Sequence, residues 1–506
     1  MPITRTVLET ARERPDQPAI VGEDGALSYA ELVEDSRRVF AVVDGLHRAQ
    51  PHPPHPAPET RGVPITGVSV ASAFHTSRII AALAGYRAVS ATIDPLWPLA
   101  HRVRIIVAAG IGVVVSDDPA LADALSAAGW TGALVTLPEF LRSAQEAEPA
   151  PPPTVREDDE AFLLLFSSGT TSDPKAFLKT RRQYRANVAV SSAHLDPLPG
   201  LETLAPGPVS YSLTLYALIE CLATGGGVHV ADSFDPVRMA RRILAERVTR
   251  IVAVPAVVRA LTDAARRDPA RFADLDLVVT GGANLPSSIR TGLADVLPRV
   301  RLISYYGAAE IGFIGDSRDG DGTLIAVYDG IGARIRDALG DDVPEGGLGE
   351  LWIRADACSD GYLAATTSER LRDDEGWATV HDQGRLVGGR LRLAGRAGDI
   401  VVTGGHKVAL PEVERAFDGM PGIGAVCAAA LPDPKLGSVI VLALEGAPAA
   451  LPGKTALLDR ARTELAPQFV PRRWYAVAEL PRTTGGKVRR AATADLLADG
   501  SRAVRL

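Results

Sequence analysis

The sequence predicts an α/β protein built in layers, with a small α+β domain following a large N-terminal one. Three observations carry this prediction. Short apolar runs of strand length alternate with amphipathic stretches of helix length along much of the chain. At 506 residues the chain is too long for one core and should divide into domains. A Gly/Arg-rich patch inside "LAGRAGDIVV" precedes a fresh strand pattern near residues 395–400, which puts the boundary between domains 1–397 and 398–506.

Taken in order, "MPITRTVLETARERPDQPAI" opens the chain without an apolar signal core. "RAQPHPPHPAPETRG" (48–62) is too rich in proline for a helix or central strand, and a solvated polyproline-like loop is preferred over a metal site at His52 and His55. Strands are predicted in "GVSVASAF" (67–74), "IGVVVSD" (111–117) and "GALVTL" (132–137), with a helix over 76–89. "EAEPAPPPTVREDDE" (146–160) reads as a surface linker into the apolar run "AFLLLF" (161–166), a buried strand. A helix over 235–248 then precedes strands in "RIVAVP" (250–255) and "DLVVTGG" (276–282). No solenoid-type repeat stands out.

Composition excludes more than it assigns. With 46% hydrophobic and 23% charged residues the chain falls in the ordinary soluble globular range. Its net charge of −7 argues against a general nucleic-acid surface. Cys221, Cys358 and Cys427 are far apart and lack CxxC spacing, so buried thiols in a reducing compartment are expected. No apolar run reaches about 18 residues, so no membrane insertion is expected and the location should be cytoplasmic.

The chemistry begins after "AFLLLF". "SSGTTSDPK" (167–175) supplies hydroxyls, Gly169 and successive backbone N–H groups that can cradle phosphate oxygens, and Lys175 can add a point charge. It is not a Walker A loop, because no glycine precedes Lys175 and no Ser/Thr follows it. Alone, it is equally an ordinary Ser/Thr turn. Further along, "ISYYGAAEIG" places Glu310 after paired tyrosines, a carboxylate suited to metal beside an aromatic platform. "ATVHDQGRL" holds Asp382, "LAGRAGDIVVTGGHKVALPEVE" carries Arg396 and a Gly-Gly hairpin, and "LPRTTGGKVRR" puts Lys487 on a Gly-rich tip.

In this order, from "LSYAELVEDSRRV" (27–39) and "AVSATIDPLWPLAHRV" (88–103) to "PRTTGGKVRR", the sequence resembles the adenylate-forming superfamily of acyl-CoA synthetases, peptide-synthetase adenylation domains and luciferases. The resemblance covers nearly the whole chain. It implies a mobile C-terminal lid and a two-step ligation in which a carboxylate and ATP give acyl-AMP and pyrophosphate, and coenzyme A then displaces AMP. It implies that Lys487, Glu310 and Thr170 are catalytic, with Mg²⁺ on Glu310 and Thr170. Nucleotide would be held by Ser167, Ser168, Gly169, Thr171, Lys175, Gly282, Ala283, Tyr305, Tyr306, Gly307, Ala309, Asp382 and Arg396. Tyr306 would pack on adenine, and Asp382 and Arg396 would hold the ribose. Coenzyme A would meet Gly404, Gly405, His406 and Lys407; the acyl group would meet Tyr211, Gly281, Gly307 and Ala308; Gly398 would be the hinge.

Several positions depart from the family. Ser172 and Ala176 stand where glycines are usual, and a side chain there is expected to crowd the phosphate path; His381 stands for the glycine before Asp382, Ala309 for a threonine, and Gly398 for a charged hinge residue. Complete acyl-CoA ligation of a hydrophobic acid is the first reading, with Gly307 and Ala308 permitting bulk. One alternative keeps only transfer from a pre-formed acyl-adenylate to coenzyme A, with a separate adenylating enzyme as partner. Another is a stand-alone amino or aryl acid adenylation enzyme, although "VSYSLTLYAL" offers no carboxylate to grip an ammonium. A silent nucleotide-binding protein would not need Lys487, Glu310, Asp382 and Arg396 together. The Pro/Ala/Arg-heavy composition suits a bacterial enzyme of secondary metabolism.

Overall fold

A computed structural model describes residues 3–167, 175–282, 285–318, 324–403, 406–433, 436–465, 467–483, 486–500 and 502–506. Most of the chain builds two large sheets. The six-stranded one runs Ala133–Val135, Val113–Ser116, Ile65–Ser69, Val89–Thr92, Ala161–Phe166, Ala176–Thr180. Its first five strands are parallel and the last is antiparallel. Ile65–Ser69, Val89–Thr92 and Val113–Ser116 are buried at every position, as strands covered on both faces must be. The thirteen-stranded sheet has a parallel middle of Arg301–Ala308, Leu277–Thr280, Arg250–Ala253, Glu202–Ala205 and Gly227–Val230. Past Arg301–Ala308 it turns antiparallel, through Gly312–Ser317 to Arg390–Arg396 and Asp382–Val387.

Helices cover these sheets, and several start at side-chain caps that the sequence supplies. Ser28 and Glu31 form a reciprocal capping box at the start of Tyr29–Arg48, as do Thr180 and Gln183 at Arg181–His194. Asp235 caps Pro236–Ala245, accepting from the Arg238 amide at 2.6 Å.

Some expected boundaries move. The helix predicted over 76–89 is Ala73–Leu83, and Val89 already belongs to a strand. Just past its end Gly85 packs closely on Pro153, where a Cβ would come within 2.4 Å of the proline ring. The predicted strand 67–74 is Ile65–Ser69, and the helix predicted over 235–248 stops at Ala245. Neither proline-rich segment is simply solvated. Ala57 and Val63 are buried in a core cluster with Ile65 and Val89, and Pro58–Thr60 forms a single 3₁₀ turn. In the second segment, Thr154 donates its amide to the Gly85 carbonyl.

The C-terminal part has its own four-stranded sheet, Val426–Asp433, Gly437–Glu445, Arg473–Val477 and Ala503–Arg505, and a two-stranded hairpin, Ile400–Thr403 with His406–Ala409. Among the described residues, the buried clusters up to Leu393 contain nothing beyond it, and the two clusters of the C-terminal part contain nothing before Val401. The molecule is thus a large N-terminal α/β domain with a small α+β one. All three cysteines are free and buried, as expected.

Candidate active site

In parallel sheets ligands usually bind beyond the carboxyl ends of the strands, and strands of both sheets here lead into residues named from the sequence. Strand Ala161–Phe166 leads into the Ser/Thr loop. There the Ser167 amide donates to the Lys175 carbonyl at 2.8 Å, and the Lys175 amide donates to Ser167 Oγ at 3.1 Å. This clamp closes the loop at its base; Ser168, Gly169, Thr170, Thr171 and Ser172 lie outside the described residues. Strand Leu277–Thr280 leads to Gly281 and Gly282, and Ala283 lies outside them too.

Strand Arg301–Ala308 sends its two tyrosines to opposite faces, because side chains alternate along a strand. The Tyr306 hydroxyl donates to Asp382 Oδ2 at 2.6 Å, and Arg396 Nε lies 3.3 Å from Asp382 Oδ1. Tyr305 turns the other way, its ring edge-on to Phe313 with centroids 4.8 Å apart. The expected shared aromatic platform therefore does not form; Tyr306 alone stands beside Asp382.

Glu310, just past that strand, is 7% exposed, and burial raises its pKa. One carboxylate oxygen accepts from the Tyr362 hydroxyl at 3.2 Å. Lys179, only 1% exposed, donates to the Glu310 and Ala357 carbonyls at 2.8 and 2.6 Å. Burial lowers its pKa to about 8. A buried cation thus braces the backbone that carries Glu310. Hard carboxylate oxygen with few protein partners suits Mg²⁺, which keeps waters and substrate phosphates in its shell. Among the described residues no group of three or more His, Cys, Asp or Glu could hold a metal alone.

Lys487 reaches this cleft from the C-terminal domain. Gly486, at φ 79°, allows the tight turn in which Thr483 bonds Lys487 through both its amide and its hydroxyl. The ammonium lies 3.8 Å from where a Cβ on Gly282 would stand. Burial and the nearby Arg396 lower its pKa, against the pull of Asp382. One cleft therefore gathers Lys487, Asp382, Arg396, Tyr306 and Gly282, with Glu310 and Lys175 linked through Tyr362, whose ring centroid lies 5.3 Å from the Lys175 ammonium.

The AMP-binding enzyme family model matches residues 75–363, and the model for the C-terminal domain of these enzymes matches 412–487. The chain belongs to the AMP-binding enzyme family. Among similar relatives is the uncharacterized acyl–CoA ligase YhfT of Bacillus subtilis, 24% identical over 97% of both chains. A salicylyl-CoA synthase / salicylate adenylyltransferase from Streptomyces is 31% identical over 74% of this chain and 70% of its own. ATP-bound MatB from Rhodopseudomonas palustris shares the fold, with a TM-score of 0.85 at 22% identity over 99% of this chain and 100% of that one.

At two of the glycines named from the sequence, the space that a side chain would take is already occupied. Gly307 opens no room for substrate, since a Cβ there would lie 2.6 Å from the Gly312 carbonyl across a strand irregularity. The space over Gly281 is filled by Tyr305, whose ring would lie 2.5 Å from a Cβ at that glycine. Ala308 packs against the cluster containing Ile311 and Ile314. Tyr211 directly precedes helix Ser212–Thr224, in which Tyr216 donates to the Ala309 carbonyl at 2.7 Å.

The departures resolve individually. Ala176 does not crowd a phosphate path: it is fully buried in a core cluster and its amide donates to Thr366 Oγ1 at 3.1 Å. His381 takes the left-handed backbone that glycine would take, at φ 65°. Gly398 sits in the short turn Ala397–Asp399 with open space where a side chain would go. Gly404 and Gly405 lie outside the described residues; His406 and Lys407 begin the second hairpin strand. Lys179, Tyr362 and Glu369 escaped sequence reasoning. Lys179 alone left a signal, as the one cation within the apolar strand "AFLKT" (176–180).

Proposed function

We propose that this protein is an ATP-dependent acyl-CoA ligase acting on a hydrophobic carboxylic acid. The supporting observation is the meeting of Lys487 from the small domain with Asp382, Arg396 and Tyr306 from the large one. In the first step a carboxylate oxygen attacks the α-phosphorus of ATP, and the bond to pyrophosphate breaks. Nucleophile and target are both anionic, so fixed cations at that point lower the barrier. Lys487 would neutralise the carboxylate and α-phosphate, Asp382 and Arg396 would orient the ribose, and Lys175 would guide the outer phosphates. Mg²⁺ held by Glu310 would offset the polyphosphate charge. In the second step the thiol sulfur of coenzyme A attacks the acyl carbon, the thiol proton is lost and AMP leaves.

We put the domain boundary at 397/398, a reading supported by buried clusters that reach Leu393 on one side and start at Val401 on the other, with Gly398 as pivot and the hairpin of Ile400–Thr403 and His406–Ala409 turning toward coenzyme A. Relatives are named for feruloyl-CoA, salicylyl-CoA and long-chain fatty acids, all with hydrophobic acyl groups, which supports a hydrophobic acid here. Buried free thiols suit the cytoplasm.

Two parallel reactions read by mass spectrometry over one panel of aromatic and fatty acids test this reading. One contains free acid, ATP, Mg²⁺ and coenzyme A; the other contains synthetic acyl-adenylates and coenzyme A. Acyl-CoA in both is expected. Product from the adenylates alone would reduce the enzyme to its second step, and product in neither would end the proposal.

A further inference from the structure

Three charged side chains beside the phosphate loop, Glu369, His381 and Glu350, have no part in the chemistry above. Lys175 is ion-paired with Glu369 Oε2. That same oxygen lies 3.5 Å from His381 Nε2. The other ring nitrogen, Nδ1, lies 2.5 Å from Glu350 Oε1, which also accepts from Thr379 Oγ1 at 3.1 Å. Thr379 Oγ1 in turn accepts the His381 amide at 3.0 Å. The row therefore runs Lys175, Glu369, His381, Glu350, and it connects the phosphate lysine to the residue next to Asp382.

The geometry of the row is specified by the backbone. His381 is held at φ 65°, a conformation strained for most side chains, and both its amide and its ring are tied to the Thr379–Glu350 pair. The ring is thereby aimed at Glu369. The Glu350 carboxylate also keeps the imidazole pKa above its ordinary value, so the ring holds a proton for Glu369 more readily than a free histidine. Glu369 itself is held below the usual carboxylate range, first by Lys175.

Resting on the reading that ATP binds here, we propose that Glu369 and His381 are positioning residues for the polyphosphate. Glu369 occupies the Lys175 ammonium when no β- and γ-phosphates are present, and it is passed to His381 when they arrive. Without His381, a displaced Glu369 would stand as an unpaired anion beside incoming phosphate. With it, the carboxylate keeps a cationic partner in both states. The same exchange in reverse would help pyrophosphate leave after acyl-AMP forms, because Glu369 competes for Lys175 while AMP stays on Asp382 and Arg396.

Titration calorimetry with the non-hydrolysable α,β-methylene analogue of ATP, with AMP as the control lacking outer phosphates, tests this on the full-length protein. Glu369→Gln should bind the ATP analogue about threefold to fivefold more tightly, the scale of one partly exposed ion pair, and bind AMP as the wild type does. His381→Asn, which tolerates the left-handed backbone, should weaken analogue binding by a similar factor in the wild-type background. It should change nothing in the Glu369→Gln background. His381→Gly serves as the second variant, free of backbone strain, with the same expectation. Unchanged or weaker analogue binding by Glu369→Gln, or an equal His381 effect in both backgrounds, would overturn the exchange. Failure of the wild type to bind either nucleotide would overturn the functional reading itself, and the exchange with it.

Discussion

Lys487 shows what a single residue contributes. It projects from a turn whose hydrogen bonds are made by backbone and Thr483, so its ammonium is free for the cleft. Lys487→Ala should therefore leave the melting temperature almost unchanged. Acid-dependent ATP–pyrophosphate exchange should fall about 10²–10³-fold, as when one preorganised charge-stabilising donor is removed. Transfer from a synthetic acyl-adenylate to coenzyme A should persist, since that step does not need the α-phosphate contact. Equal loss of both steps would show that Lys487 is instead structural. Lys487, Glu310, Asp382 and Arg396 could be named from sequence because each lies in a short local pattern. Lys179, Tyr362 and Glu369 could not, because their partners are 131, 52 and 194 positions away.

At the scale of elements, packing decided what periodicity left open. The helix after Ser72 stops at Leu83, and just beyond it Gly85 packs on Pro153, a contact between segments far apart in sequence. A similar long-range tie joins strands Glu202–Ala205 and Gly227–Val230 to the end of helix Pro236–Ala245. His229, whose side chain is 4% exposed, lies 2.7 Å from Glu202 and 2.6 Å from Glu246. Burial works against the charged ring, but the two carboxylates outweigh it and raise its pKa. The sign follows from proton linkage: a raised folded-state pKa gives stability that is complete below the unfolded value of about 6.5 and is lost as pH rises through the folded one. The stability advantage of wild type over His229→Gln, read from urea melts, should shrink as pH climbs above about 6.5. An advantage that grows with pH would contradict this arrangement.

For the whole molecule, the question is what holds the small domain over the cleft. Helix Ser287–Val296 begins after Pro286 and has no side-chain cap of its own. Asp418 of the small domain supplies one, accepting from Ser287 Oγ at 2.9 Å and Ser288 Oγ at 2.6 Å. A carboxylate at a helix N-terminus is favourable, and here it doubles as a docking contact. Asp418→Ala should slow adenylation about threefold, the scale of an exposed charged contact, while transfer from acyl-adenylate and the melting temperature hold. Slowing of both steps alike would mean that Asp418 does not favour this domain arrangement. Among the described residues, no helix is long and apolar enough to cross a membrane.

By itself the sequence determined the α/β class, the large and small domains, the family and some of the residues near the cleft. Those properties are written in local apolar periodicity and in short ordered patterns around Lys175, Glu310, Asp382 and Lys487. Only the tertiary structure decided that Tyr305 and Tyr306 part company, that Gly307 is small to pass a neighbouring strand, and that His381 faces Glu369. It also turned Ala176 from an apparent obstacle into a core residue. Whether the partner is near in sequence, as Gly312 is to Gly307, or far, as Thr366 is to Ala176, a side chain's role depends on which surface packing brings against it.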